Sequence, residues 1–590
     1  MLNNKKVISS VTNKDISGSS ISYSPFFSNI GIVTGDEFSG IESLCFHYNR
    51  ATRSVWSPFA EFGRELKKTA CNPCVMTFEN GESSAELSFF DTDSFVMQAT
   101  DVPYISFFCR ETESDGEIWN YTDENGFCHV RGYSKNGDAR DPDRYVAFHA
   151  CVRCFTGKAE WNNKKLIITP QNGKIYLAVC FEMLDTDSER LIKKLLNAPG
   201  NFLHAKQACT EWAENCLVNL SLPEGTEREN EILLNALNGM LYNFKHAPGL
   251  TSGYTAYYPN RGGYPCHFLW DTCFQNLALE IINPGLACES LLLIAECQRH
   301  DGKYPQFMCS TWHRPLDTQP ALVGWAAKRI YNILPDGECK KAFAEKIFFS
   351  IAKNNEWWLN DRITRYGLIY CDDGLETGQD NSPRFDGRVV LAVDMNSYLL
   401  NQMKVAAFFA FELGFADKAD YWNKKAQSLS ENMIKHLYSE EDNLFYDALV
   451  SNGEKVKIQT SSCFIPLWAG VGIEKEKADN MIKNHLLDES RFFSRIPFPS
   501  VAYNEKAYEA GGWWRGPTWP PIAWLMLEIL KKYGFKAEYK EAFNRIYNML
   551  LEDGKLHELF NSKTGEGLGN ADQGWTQAIF IRMYRDKDNI

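Results

Sequence analysis

The chain of 590 residues carries a net charge of -13, which leaves no basic footprint for a phosphate backbone and argues against a nucleic-acid partner. Nor does it contain a stretch of about 18 uninterrupted apolar residues that would cross a bilayer, so no membrane partner is expected. Its 44% hydrophobic and 23% charged residues are those of a globular protein, large enough for two or three domains, while 16 Trp and 26 Tyr supply flat rings of the kind that stack on the apolar faces of sugars.

The opening segment, MLNNKKVISSVTNKDISGSS, lacks the apolar core of a secretory leader, so a cytoplasmic protein is expected. The 18 cysteines, irregularly spaced, fit that compartment as buried reduced thiols. Up to about Asp185 the chain reads as short strands. SAELSFF (Ser84 to Phe90) alternates polar and apolar residues, and KKLIITP and KIYLAVCFEML are β-rich runs bounded by Asn-Gly turns, which predicts an antiparallel β-sandwich over residues 1–186. Two C-x-x-C pairs, Cys71/Cys74 and Cys151/Cys154, would make a zinc site only if the fold joined them. The second lies in a strand-like run, where residues three apart face opposite sides, so no metal is assigned. Residues 187–227 switch to helical spacing around the break APGN and are expected to be a helical linker.

From residue 228 to 590 the period is helical. Leu233, Ala236, Leu237, Met240, Leu241 and Phe244 form one apolar stripe that stops at Pro248-Gly249, the first of about twelve such stripes between Glu229 and the C-terminus. Several pair across a short break, as in AAFFAFELGFADKADYWNKKAQSL and MLEILKKYGFKAEYKEAFNRIYNML, which predicts helical hairpins in series. Short breaks alternate with long loops. If the hairpins close into a ring, the long loops gather at one mouth.

Four of these loops combine aromatics with charges: GYPCHFLWDTCF (Gly263 to Phe274), DDGLETGQDNSPRFDG (Asp372 to Gly387), GGWWRGPTWPP (Gly511 to Pro521) and HELFNSKTGEGLGNADQGWT (His557 to Thr576). Each singly passes for core aromatics beside an ion pair, and the four together are harder to dismiss. Glu376/Asp380 and Glu558/Glu566 offer what cleavage of a glycosidic bond needs: a protonated carboxyl for the leaving oxygen and an ionised carboxylate for water or sugar. The plainer alternative is that they cap helices or face solvent. Competing chemistries are poorly served, since H-E-x-x-H, the Walker lysine loop and G-x-S-x-G are all missing, and GEGLG does not open a dinucleotide-type helix. His267, His313 and His557 are too far apart in sequence to constitute a metal triad without help from the fold, so neither metal nor cofactor is assigned.

The series FLWDTCF, ETGQDNSPRFD, WWRGPTW and HELFNSKTGEGLG followed by GWT resembles the motifs of glycoside hydrolase family 63, the processing α-glucosidase I group with mannosylglycerate and glucosylglycerate hydrolases. Family-37 trehalases are close cousins. The resemblance covers roughly Glu229 to Arg585. It implies an (α/α)6-barrel catalytic domain behind an N-terminal β-sandwich and an inverting mechanism, with Asp380 as general acid and Glu558 as general base. Glu566 is assigned to loop structure, with a role as base the alternative. Trehalases place Trp before the acid and Phe after it, whereas this chain has Gln379 and Asn381, which favours family 63. The hydrophobic residue often found before the acid in that family is replaced by Gln379 as well.

Further site candidates follow. Asp271, Gln319 and Arg515 are expected to hydrogen-bond sugar hydroxyls, Trp270, Trp519 and Trp575 to wall the pocket, and Glu376, Asn381 and Arg384 to bind substrate, with positioning of the acid loop the alternative for Glu376 and Arg384. Of the consecutive Trp513 and Trp514, one is expected to face the core. Asp380 should be kept protonated by burial or by Glu376, and Glu558 should stay ionised. The expected function is thus an exo-acting inverting α-glycosidase, an α-glucosidase by resemblance, acting on a small soluble carbohydrate. The alternatives are a trehalase, a cytosolic disaccharide phosphorylase, or a non-catalytic sugar-binding protein on a hydrolase scaffold.

Overall fold

The computed structural model describes residues 21–23, 30–33, 40–41 and 43–46 and, from residue 58 onward, all of the chain except 72–73, 92–93, 110–117, 136–144, 184–187, 218–219, 247–252, 261–263, 265 and 309–313. It is mainly helical, with a β-sheet region at the N-terminal side.

In that region an eight-stranded antiparallel sheet runs in the order Ile118–Thr122, Cys128–Lys135, Tyr145–Thr156, Lys174–Met183, Ser94–Thr100, Ser84–Asp91, Met76–Glu79, Lys67–Cys71. A five-stranded sheet has the order Lys158–Asn162, Lys165–Thr169, Ile105–Cys109, Pro58–Phe62, Gly40–Ile41. Inward-facing residues of both, among them Phe95, Met97, Leu177, Ile105, Phe107 and Ile168, share one apolar core, as period-2 alternation requires when two faces pack. The hairpin turn at Asn172 and Gly173 has both residues at positive φ, as the Asn-Gly pair in the sequence requires. Within the strand Tyr145–Thr156, Cys151 is fully buried and Cys154 half-buried. The side chain of Cys71 lies outside the described residues.

Two helices follow, Ser188–Leu196 and Phe202–Leu217. They are less a spacer than a seam. Leu191, Leu195, Ala205 and Cys209 belong to the core of the sheets, Cys216 and Leu217 belong to that of the helical part, and Trp212 packs against both.

The twelve α-helices that follow among the described residues fall into two kinds. Six are Leu269–Ile282, Val323–Ile333, Val393–Glu412, Ile465–Ala469, Pro520–Tyr533 and Gly574–Asp586. Each packs against the next, and the last packs against the first. Every residue of Leu269–Ile282 is buried. The others, such as Glu338–Asp361, Ala416–Leu437 and Lys536–Asp553, bury one stripe and expose the rest, so they lie outside the cycle. Connections from cycle to outside are short, as at Gly414 and Gly534, where φ values of +80° and +83° let the chain leave one helix and enter the next. Connections back are long and carry the aromatic and acidic clusters.

The far ends of the cycle are tied by charge. Glu280 binds Arg329 and Arg582, Arg329 also binds Glu528, and Glu528 accepts the indole N–H groups of Trp468 and Trp524. Five of the six central helices meet in this network. It lies about 13 Å along Leu269–Ile282 from Asp271, at 1.5 Å rise per residue.

Candidate active site

Three of the central helices begin where the long loops gather. Leu269–Ile282 presents Trp270 and Asp271 in its first turn, Pro520–Tyr533 has Trp519 at its N-cap, and Gly574–Asp586 presents Trp575. Together with the loops they enclose a pocket of about 730 Å³ including its open mouth.

Its wall and floor are indole. Trp514 and Trp519 stack face to face, centroids 3.8 Å apart and planes at 1°. Trp575 meets Trp519 and Trp270 edge-on, and Trp513 meets Trp519 at 90°. Trp514 is buried in the core, as expected of one of the pair, while Trp513 is only partly buried, and both rings also line the pocket. Trp513, at φ +58°, turns the backbone so that consecutive rings reach the same cavity.

Asp271, Asp380 and Glu558 share this pocket. Glu558 is buried and held by its surroundings: Asn570 donates its backbone N–H and its side-chain amide to Oε2, both at 3.2 Å, and Tyr264 donates its hydroxyl. The Trp575 indole N–H fixes the Glu558 carbonyl at 3.0 Å. Burial pushes the Glu558 carboxyl above its usual range, with a smaller push from Asp380, while the Asn570 and Tyr264 donors pull it back. Asp271 is pushed up well above the ordinary carboxylate range, first by burial and then by Glu558 and Asp380. A pocket with three facing carboxyls therefore favours retaining a proton.

Asp380 itself is exposed in the open pocket, so burial does not do what the sequence led us to expect of it. Nor does Glu376 stand beside it. Glu376 is buried on the other side of the loop, where Arg362 donates to Oε1 at 2.5 Å while also binding Asp372. The loop turns at Gly378, whose φ is +70° and where an added Cβ would lie 2.5 Å from the Trp270 ring. Only glycine lets this backbone lie on the indole.

Of the predicted residues, Trp270, Asp271, Gln319, Asp380, Trp519, Glu558 and Trp575 line the pocket together. Four candidates for substrate binding do not line it. Besides Glu376, Arg384 is wholly buried between Asp394 and Asp447, Asn381 bridges to the Gly512 carbonyl and the Trp514 N–H, and Arg515 is paired with Asp386 at 2.5 Å. Arg384 and Asn381 thereby spend their hydrogen-bonding groups on the protein, whereas Arg515 pairs through Nη2 and Glu376 keeps Oε2 buried without a hydrogen-bond partner. Gln379 likewise points away from the pocket, into the Arg384 cluster. Glu566 is exposed in its turn, and His267 is a neutral core histidine bound to Tyr257 and Ser290, lowered by burial to about 4. His557 pairs with Asp553, and His313 lies outside the described residues.

The pocket also holds residues that were not singled out: Tyr264, Phe268, Gln306, Arg314, Leu375 and Gly378, besides the two tryptophans. Tyr264 and Phe268 sit within a flagged loop, and their period along it could have found them. Gln306 and Arg314 belong to no motif and arrive from a segment that the sequence leaves silent.

Residues 264–576 match the family model of the mannosylglycerate hydrolase MGH1-like glycoside hydrolase domain. Mannosylglycerate hydrolase MGH1 of Selaginella moellendorffii is 24% identical over 408 residues, covering 56% of this chain and 82% of the relative. Two solved structures show a like fold. The family-63 mannosylglycerate hydrolase of Thermus thermophilus, with Tris and D-glycerate, superposes with a TM-score of 0.53 at 20% identity over 60% of this chain and 99% of its own. A bacterial glucoamylase complexed with acarbose superposes with a TM-score of 0.55 at 12% identity over 98% and 94%.

Proposed function

The chain belongs to the mannosylglycerate hydrolase MGH1-like family of glycoside hydrolases, and from this premise we propose that it is an exo-acting, inverting α-glycosidase with Asp380 as general acid and Glu558 as general base. The observation that carries the proposal is that Asp380 and Glu558, about 180 residues apart in sequence, line one pocket walled by indole rings.

In the inverting route, the acid protonates the leaving oxygen while the base takes a proton from water attacking the opposite face, which requires roughly 6.5–9.5 Å between the carboxyls. Asn570 and Tyr264 hold the Glu558 carboxylate in place for that water, and Asp271 is set to bind a hydroxyl. A glycone seated on the tryptophans displaces water from around Asp380 and favours its protonated form. Exo action is supported by the charged network of Glu280, Arg329, Glu528 and Arg582, which ties the central helices beyond the indole floor and leaves the pocket blind. The cycle of six central helices, with its outer partners, supports reading the helical part as an (α/α)6 barrel.

The substrate is proposed to be a small α-linked glycoside, a glucoside first. Because named relatives act on mannosylglycerate, that compound belongs in the same test. The test is hydrolysis of kojibiose, nigerose, maltose, isomaltose, trehalose, glucosylglycerate and mannosylglycerate, with the product anomer followed by proton NMR. Release of the β-anomer from one member, reduced at least about 100-fold in both Asp380→Asn and Glu558→Gln, is expected. Release of the α-anomer, or turnover that requires phosphate, would overturn the proposal.

A further inference from the structure

Asp380 projects from a loop into solvent, yet the residues on either side of it are both clamped. Asn381 donates its amide to the Gly512 carbonyl at 3.1 Å and accepts the Trp514 N–H at 2.9 Å. Gln379 is 1% exposed and runs the opposite way, donating to Ser462 Oγ at 3.0 Å and Asp394 Oδ2 at 3.2 Å, while its carbonyl accepts from Arg384 Nη2 at 3.3 Å.

The Arg384 guanidinium is saturated. Its Nε reaches Ser382 Oγ, Nη1 reaches Asp394 Oδ1 and both oxygens of Asp447, and Nη2 reaches Asp394 Oδ2 at 2.7 Å. Asp447 in turn accepts the Val393 N–H at 2.7 Å, and Ser462 donates to Asp394 at 3.0 Å. Asp394 stands in the first turn of the central helix Val393–Glu412, and Ser462 just before the central helix Ile465–Ala469. One buried unit thus joins the acid loop to two helices of the cycle. A buried guanidinium with a planar fork has few alternative geometries, so it fixes direction as well as distance.

We propose that Gln379 is a positioning residue for Asp380, transmitting to the acid the rigidity of the Arg384–Asp394–Asp447 unit. The inference rests on Asp380 being the acid and goes beyond that assignment. Gln379 touches no substrate, and its contribution lies in holding the next residue's carboxyl on the leaving oxygen. A displacement of about 1 Å at such a centre can cost on the order of 100-fold in rate.

The acid matters only when the leaving group needs a proton, and this gives a test that loss of folding cannot mimic. In the full-length protein, Asp380→Asn, Gln379→Leu and Ser462→Ala are compared on the natural glycoside and on the α-glycosyl fluoride of the same sugar, whose fluoride departs without protonation, with thermal unfolding alongside. Gln379→Leu is expected to lower kcat on the glycoside about 10- to 100-fold with KM within about twofold, and to keep the fluoride rate within about threefold. Ser462→Ala, which removes one of the Gln379 partners and leaves the ionic unit, is expected to show the same split at smaller size. An Asp380→Asn enzyme that loses both substrates alike overturns the acid assignment and this proposal with it. If Asp380→Asn shows the split but both other variants lose the two substrates equally, or neither, only the positioning role falls.

Discussion

At the scale of single residues, the site divides into groups that touch the pocket and groups that hold them. Glu558 shows the balance most clearly: burial raises its carboxyl, and Tyr264 and Asn570 lower it again. Tyr264→Phe removes a donor to the charged form, so the carboxyl should titrate higher. As the proposed base, Glu558 must be unprotonated to work, and activity is lost as pH falls through its folded value. The acidic limb of the kcat/KM profile is therefore expected to move up by about 0.5–1 unit, and a limb that stays in place would rule out the role given to Tyr264. The same distinction explains why charged residues of the flagged loops differ in fate. Arg384 and Arg515 carry the same guanidinium, but Arg384 finds two buried carboxylates and Arg515 an exposed one, and neither lines the pocket.

At the scale of elements, the loop that carries Asp380 depends on one backbone position. Gly378→Ala places a methyl where the Trp270 ring already lies, at a left-handed φ. A loss of about 1–3 kcal/mol in stability and a fall in kcat are expected, measured by urea unfolding and steady-state kinetics. The helix Glu227–Asn243 shows a different dependence. Its capping box pairs Thr226 with Glu229, and although burial works to raise the Glu229 carboxyl, the Thr226 N–H, Lys587 and Tyr547 hold it down to about 2. Because the folded value is depressed, this contribution is complete above the ordinary value of 4.5 and fades as pH falls toward 2. Glu229→Gln should cost about 1 kcal/mol at pH 7, with the gap to the parent closing below pH 4.5. A gap that is the same at pH 3.5 and 7 would contradict the assignment.

At the scale of the whole molecule, the network beyond the pocket floor takes over. Arg329→Met leaves Glu280 and Glu528 facing each other with only Arg582 to compensate the first, so a loss of about 3 kcal/mol is expected in denaturant unfolding, with KM little changed. A variant as stable as the parent would mean that these helices are not held together by charge. Much of the architecture was legible in the chain because it rests on local chemistry. Alternation at Ser84–Asp91, the apolar stripe from Leu233 and the glycines at 414 and 534 each fix a strand, a helix or a turn within a few residues of themselves. The motif loops also identified Trp270, Asp271, Asp380, Glu558 and Trp575, since aromatic and acidic residues crowded into Gly-punctuated loops are costly without a use. What the sequence could not determine is the direction a side chain takes once its loop is folded. Glu376 and Gln379 stand within four residues of Asp380 and point away from the pocket, whereas Gln306 and Arg314, more than 60 residues upstream, point into it. That choice depends on which buried partners lie on the far side of the loop, and those partners are brought there only by the packing of distant helices.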